Sequence, residues 1–189
     1  MNTDVIDIGH LHSCPLPILQ RGDVAQALAD CVRNGKLRVA AYSGENAELA
    51  HALADERFAS VQCSLSLVDR ANAAWLPAGG SAVKGLLVKR ALAGLAWAKP
   101  QRPGDFCEGS YWDRWQQLAL PDLGIAWPEL ALRYAAHQPH VSSVLLGTKS
   151  LANLRAGIDA VQRGPLAPDV LAALDGAWGC HGLGWLGMV

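Results

Sequence analysis

The sequence has little charge, and that charge is nearly balanced. Charged residues make up 17% of the 189 residues, and the formal net charge at pH 7 is −1. Proteins whose main partner is nucleic acid or an anionic membrane usually carry a clear basic excess, so we expect neither partner here. Hydrophobic residues reach 51%, which suffices for a large core and argues against disorder. We therefore expect a single folded domain over 1–189.

Long apolar runs and metal-type cysteine spacings are also missing. No run approaches the roughly 20 apolar residues that a membrane-spanning helix needs. The first seven residues lack the basic start and apolar middle of a secretory signal. The five cysteines are scattered and odd in number. We interpret them as reduced thiols of a cytoplasmic protein, and we expect no metal site.

The sequence does contain a regular alternation of strand and helix patterns. Short apolar runs predict five strands, at residues 5–12, 37–42, 59–64, 85–90 and 143–146. Helical spacing predicts helices at residues 23–32, 47–54, 71–76, 128–137, 151–161 and 168–174. The strand runs are apolar throughout rather than alternating, which indicates a parallel sheet that is covered on both faces.

The segment from Val144 to Leu154 has the pattern of a strand, a turn and a helix. The turn contains Gly147, Thr148 and Ser150. Such a turn directs backbone N–H groups and a helix N-terminus toward an anion, usually phosphate, although many similar units bind nothing. We assign the inner face of the helix to four apolar residues: Leu151, Leu154, Ile158 and Val161.

Several breaks and two longer segments complete the pattern. Ser13 to Pro15 predicts a break after the first strand, Asp23 is a candidate N-cap, and Pro77 with Gly79-Gly80 predicts the end of a short helix. Residues 91–120 predict a long loop, which either covers a site or simply packs on the domain. Residues 179–189 form a tail rich in glycine and apolar residues.

Polar residues stand where the predicted strands end. They are His12, Ser43, Gln62, Lys89, Arg90, Gly147 and Thr148. The carboxyl ends of parallel strands lie at one edge of a sheet, where α/β proteins place their sites. Each residue alone also has a plain interpretation, as a structural histidine, a loop-end polar residue or a solvated cation.

Several segments at these strands share a further pattern. They are residues 4–12, ending in His12; 35–43, Gly-Lys-Leu-Arg-Val-Ala-Ala-Tyr-Ser; 61–62 with 67–70; 88–92; and 131–134 with 141–148. In this order and spacing they resemble the aldo-keto reductases, whose fourth strand ends in a catalytic histidine. The resemblance runs from residue 4 to about residue 178. It implies NADPH binding and an α/β fold, here a partial (β/α)8 TIM barrel of about five βα units that matches strands four to eight.

At the nicotinamide end, the resemblance implies roles for four residues. His12 would orient a small carbonyl substrate and donate a hydrogen bond toward its oxygen. Ser43 and Gln62 would bind the nicotinamide carboxamide of NADP(H). Gly44 stands where the family often has an asparagine that shares this task.

Toward the other end of the cofactor, the resemblance implies two further groups. Lys89, Arg90 and Leu92 would lie along the pyrophosphate and ribose. The adenosine end would meet residues after the last strand, namely Gly147, Thr148, Lys149, Asn153 and Gly157. Lys149 would favour NADP over NAD. Asn153 and Gly157 stand where the family often has an arginine and an asparagine, respectively. We therefore expect weaker binding of the adenosine end of the cofactor.

The family's catalytic aspartate, tyrosine and lysine belong to its first three strands, which no segment of this sequence resembles. The tyrosine protonates the carbonyl oxygen, and no spacing argument offers Tyr42 or Tyr111 as a substitute. The chain is therefore expected to be a reductase homologue that is incomplete alone, a reductase completed by another segment, or a non-catalytic nucleotide- or partner-binding half-barrel. Open strand edges predict self-association or a complementing N-terminal half.

Overall fold

The computed structural model describes residues 3–76 and 84–189. The predicted helix break at Pro77 and Gly79-Gly80 lies outside these residues. The five strands are β1 Ile6–His12, β2 Leu37–Ser43, β3 Ser60–Ser64, β4 Gly85–Lys89 and β5 Val141–Val144. The α-helices are α1 Leu16–Arg21, α2 Asp23–Arg33, α3 Asn46–Ala54, α4 Phe106–Leu118, α5 Trp127–Ala136, α6 Leu151–Gln162 and α7 Pro168–His181. Short 3-10 helices cover Ala71–Trp75 and Ala93–Ala98.

The strands form one parallel sheet in the order β1-β2-β3-β4-β5. This confirms the predicted α/β fold of a partial barrel, with a helical connection following each strand. Strands β1 and β5 each pair on one side only within the described residues. The sheet therefore stays open, and its two edges differ from its middle. No helix among the described residues is long and apolar enough to cross a membrane.

The core lies between the sheet and the helices. Tyr42 and Val61 project from β2 and β3 into a cluster with Leu19, Leu49 and Phe58. A second cluster is built around α4, α5 and α7, and it includes buried residues from the segment after β3 and from the chain's end. Since side chains alternate along a strand, the residues between these core positions face the concave side of the sheet, where a barrel interior would lie.

The prediction of a long loop over residues 91–120 is wrong. The 3-10 helix Ala93–Ala98 and the 13-residue helix α4 occupy most of it. Asp105 caps α4, because its side chain accepts a hydrogen bond from the N–H of Glu108. This Asp-x-x-Glu pattern is a helix start signal that the aromatic residues and Gly109 obscured.

The predicted inner face of α6 is also wrong. Leu151 is 72% exposed and Ile158 is 48% exposed, and Leu154 is exposed as well. Helix α6 follows the edge strand β5, so no further described element lies beyond it to cover this stripe. Only Val161 packs against the core.

Two details at the first helices also differ from the prediction. The expected break at Ser13 to Pro15 is confirmed, but helix α1, which the sequence did not predict, begins directly after it, with Pro15 extended as the residue before the helix. Asp23 is the first residue of α2 rather than its cap, which is Gly22 in the left-handed region at φ 79°.

Candidate functional site

Three predicted site residues form one row across the sheet. His12 lies opposite Ser43 in the register of β1 and β2, and Ser43 lies opposite Gln62 in that of β2 and β3. The Gln62 side-chain amide donates to Ser43 Oγ at 3.3 Å. Ser43 is buried, whereas His12 is exposed at the open edge. The row therefore offers hydroxyl, amide and imidazole groups side by side on the concave face.

His10 projects from the same face of β1, two residues before His12. Its Nε2 is buried and has no hydrogen-bond partner among the described residues. Burial lowers the pKa of His10, and the neighbouring His12 lowers it further. His10 is therefore neutral at pH 7, and it lies on the same face of β1 as the predicted catalytic histidine, His12.

The next row contains a buried ion pair that the sequence did not reveal. Lys89 pairs with Glu45, with 3.1 Å between its Nζ and the carboxylate. The Glu45 carboxylate also accepts from Ser64, at 3.0 Å from its N–H and 2.8 Å from its hydroxyl, and from the amide of Asn72. Buried charges need such partners. The sequence feature that could have indicated this pair is Glu45, an acidic residue just after the apolar strand β2. The charge of Lys89 is thus already neutralised by protein.

Gly44 has no room for a side chain. A Cβ added there would lie 2.4 Å from the hydroxyl oxygen of Tyr42. The Gly44 N–H donates to the Gln62 carbonyl at 3.1 Å. The departure from the family's frequent asparagine therefore follows from Tyr42, whose ring fills the space beside this turn.

Five predicted adenosine-end or ribose residues line one cleft of about 600 Å³ between the loop after β4 and helices α5 and α6. They are Leu92, Gly147, Thr148, Asn153 and Gly157. A Cβ at Gly157 would lie 2.6 Å from the Leu146 side chain, so glycine is needed here for close packing of α6. These five residues, of which Leu92 is far from the other four in the sequence, are therefore brought together by the fold.

A neighbouring cleft of about 400 Å³ is lined by Arg90, Leu92 and Gly147, and it extends from the first toward β4. Lys149 is exposed and does not line either cleft. In the turn, Thr148 Oγ1 accepts from the Ser150 N–H at 3.1 Å, and Ser150 Oγ accepts from the Asn153 N–H at 3.3 Å. Part of the N–H set at the start of α6 is therefore satisfied by the chain itself.

The chain's end also meets this face of the sheet. Asn46 and Gly187 exchange two hydrogen bonds, of 2.7 and 3.0 Å, and the Met188 N–H donates to Asp69 at 3.1 Å. Arg90 donates to the Met188 carbonyl. Burial raises the pKa of Asp69, although the Met188 N–H and Arg114 act in the opposite direction. The sequence showed only that the tail is rich in glycine and apolar residues, and it did not indicate which residues the tail contacts.

All three tyrosines of the chain are buried. The Tyr42 hydroxyl donates to the Cys14 carbonyl at 3.2 Å, and the Tyr111 hydroxyl donates to Asp69 at 3.2 Å. Burial raises the pKa of both, and it raises that of Tyr134 to about 12. Each hydroxyl is thus a weaker acid than an ordinary tyrosine, and none is open to solvent or substrate. The described residues also contain no cluster that could hold a metal ion.

Comparison with known proteins gives a consistent result. A family model described as "Aldo/keto reductase family" matches residues 1–179. No curated protein matches the chain significantly.

Similar solved structures include aldo-keto reductase AKR11C1 from Bacillus halodurans, at 23% identity and a TM-score of 0.76 over 93% of this chain. They also include the glycerol dehydrogenase AKR11B4 from Gluconobacter oxydans, at 20% identity and a TM-score of 0.66 over 95% of this chain. This chain covers 62% and 60% of those two chains. At these identities the likeness shows a shared fold.

Proposed function

This chain belongs to the aldo/keto reductase family, and from that premise we propose that its sheet carries the cofactor-binding and substrate-orienting part of a carbonyl reductase site. The cofactor is NADP(H), which supplies a hydride to the carbonyl carbon of an aldehyde or ketone. A proton must reach the carbonyl oxygen to complete the alcohol. The residues of this chain would hold the two reactants in place.

The observation that carries the proposal is the row formed by His12, Ser43 and Gln62. A nicotinamide carboxamide has one acceptor oxygen and two N–H donors. A serine hydroxyl and a glutamine amide can each donate and accept, so Ser43 and Gln62 suit it. Their hydrogen bond to each other would be exchanged for bonds to the carboxamide. His12, at the open end of the row, would donate to the carbonyl oxygen of the substrate.

The two clefts support binding of the rest of the dinucleotide. They continue from Arg90 past Leu92 and Thr148 to Gly157, where the larger cleft lies between α5 and α6. Arg90 supplies a cation beside the cleft proposed for the pyrophosphate. Lys149, exposed in the turn before α6, is the cation proposed for the adenosine phosphate. Lys89, held by Glu45, would contribute by fixing the strand end rather than by meeting the phosphates.

The 189 residues alone are proposed to bind reactants without turnover. Protonation of the carbonyl oxygen needs an acid at the row, and the three tyrosines are buried in the core with raised pKa values. A segment with an aspartate, a tyrosine and a lysine at strand ends would supply that acid. It would also pair with the free edges of β1 and β5.

The alternative function is a non-catalytic nucleotide- or partner-binding half-barrel. It is favoured by the exposed apolar side chains at both edges of the sheet, such as Ile8 on β1 and Ile158 on α6. Such surfaces favour association with a second copy or with a complementing half.

The deciding experiment is an NADPH titration of the purified chain, followed by nucleotide fluorescence. We expect saturable binding, weakened about tenfold in Gln62→Ala, since at least one hydrogen bond to the carboxamide is lost. Gln26→Ala, on the outer helix α2, is the matched control and should bind like the parent. Failure of a folded sample to bind would contradict the proposal.

An aldehyde turnover assay on the same samples separates the alternatives. Binding without turnover is expected for the chain alone. Turnover by the chain alone would show that it contains an acid other than its tyrosines, and would contradict the proposed incompleteness.

A further inference from the structure

The last residues of the chain cross the carboxyl ends of three strands. Residues 186–188 meet Asn46, Asp69 and Arg90, which follow β2, β3 and β4 respectively. These strand ends also carry the row and the cleft proposed for the dinucleotide. The tail therefore lies beside the proposed cofactor path rather than at a distant part of the surface.

The contacts that hold this tail are made to its main chain. Asn46 bonds both the N–H and the carbonyl of Gly187, and Asp69 accepts from the Met188 N–H. Arg114 donates to the Leu186 carbonyl at 2.7 Å. The side chains of Leu186 and Val189 are exposed, and Met188 alone is buried in the core. Main-chain hydrogen bonds of modest net strength and the buried Met188 side chain thus fix the tail together.

One residue, Arg90, meets both the tail and the cleft. Arg90 donates to the Met188 carbonyl, and it also lines the cleft shared with Leu92 and Gly147. Its backbone adopts the left-handed region at φ 59°, which is uncommon for arginine. The tail therefore takes up part of the donor capacity of the residue that is proposed to meet the pyrophosphate.

We propose that the tail is an internal competitor of the dinucleotide at Arg90: when the cofactor's pyrophosphate engages this guanidinium, residues 186–188 leave it. This inference rests on the proposed function, since it concerns the same site. An anionic pyrophosphate is a stronger partner for arginine than a neutral carbonyl. The docked tail thus lowers the apparent affinity for cofactor and is released as cofactor binds.

A substitution within the tail tests this without altering the site. A Cβ at Gly187 would lie 3.0 Å from Asn46 Oδ1 and 3.2 Å from Asn72 Nδ2, so Gly187→Leu should undock the tail. We expect this variant to bind NADPH about tenfold more tightly than the parent, because the competing hydrogen bonds are lost. Gly179→Ala is the matched control, because a Cβ there meets no atom within 4 Å, and its affinity should equal that of the parent.

Amide hydrogen exchange in the unaltered chain gives a second, independent test. Saturating NADPH should speed exchange at the amides of Gly187 and Met188, which the docked tail protects. Equal affinity of the folded Gly187→Leu variant and the parent, or undiminished protection of both amides in the complex, would overturn the inference and leave the proposed function standing. Absence of NADPH binding by all three folded proteins would instead remove the proposed function, and this inference with it.

Discussion

The middle strands of the sheet, β2 and β3, have paired neighbours on both sides, whereas β1 and β5 each have a free edge within the described residues. Tyr42 and Val61 of the middle strands are fully buried, while Ile6 and Ile8 of β1 are more than a third exposed. Val61, Ile6 and Ile8 are similarly apolar. Position in the sheet, rather than composition, therefore decides which apolar surface is covered.

The helices show the same difference between the middle and the edge of the sheet. Leu49 of α3 is fully buried against β2 and its neighbours, whereas Leu151 of α6 is 72% exposed beyond β5. Both residues belong to helices that follow a strand. Stability is therefore concentrated in the middle of the sheet, and we expect association to occur at its edges.

The largest effect should come from removing Glu45, the buried acid that follows β2. Glu45→Ala leaves Lys89, Asn72 and the Ser64 N–H without their buried partner, so we expect a loss of about 3–5 kcal/mol in the free energy of unfolding. Urea denaturation measures it. Glu48→Ala, in the first turn of α3, is the control and should lose about 1 kcal/mol or less. Similar small losses in both variants would contradict the central role of the Glu45 network.

A pair of leucine truncations tests the contrast between the helices. Leu49→Ala should destabilise the chain by about 2–5 kcal/mol, because it leaves a cavity. Leu151→Ala, at an exposed site, should change stability by no more than about 0.5 kcal/mol. A large loss of stability in Leu151→Ala that depends on protein concentration would show that self-association buries the exposed apolar face of α6 in solution.

The free edge of β1 should control association. We expect the isolated chain to self-associate, and Ile8→Lys to weaken this about tenfold or more, since an apolar contact is replaced by a charge. Sedimentation velocity over a range of concentrations measures the shift. Phe106→Lys, also an exposed apolar site but on α4, should associate like the parent. A parent chain that is monomeric throughout would refute the edge argument.

The smallest expected effect concerns pH and the buried acid Asp69, which follows β3. Burial raises the pKa of Asp69 above its ordinary value of 3.8. Between 3.8 and the raised value, the folded chain holds a proton that the unfolded chain has lost, so stability falls as pH rises through this window. Asp69→Asn should remove that fall while keeping an oxygen acceptor for the Met188 N–H. Parallel pH profiles of the two proteins, from urea unfolding, would contradict the assignment.

Much of the fold could be predicted because the relevant signals are local. All five strands lie within two residues of their predicted starts and ends, since short apolar runs bounded by turn residues specify them. Helix α4 was missed because its aromatic and polar residues lack a simple apolar stripe. The exposed face of α6 was missed because periodicity shows which side of a helix is apolar, but not whether anything lies against it.

The candidate site divides in the same way. His12, Ser43 and Gln62 were selected as strand-end residues, and the register brings them into one row because parallel strands end at one edge of the sheet. The pairing of Lys89 with Glu45 could not be predicted. It depends on the path of the chain between β2 and β4, which brings two distant charges together.

The sequence alone was enough to predict the order of the five strands, the family resemblance and the polar residues that end each strand. These follow from residues close together in the chain, whose spacing and size limit the backbone directly. Only the tertiary structure decided that Lys89 is neutralised, that the tail meets Arg90 and that the edges of the sheet remain exposed. Each of these depends on which remote segments come into contact, because hydrogen bonds and apolar burial are satisfied by whatever lies near in space.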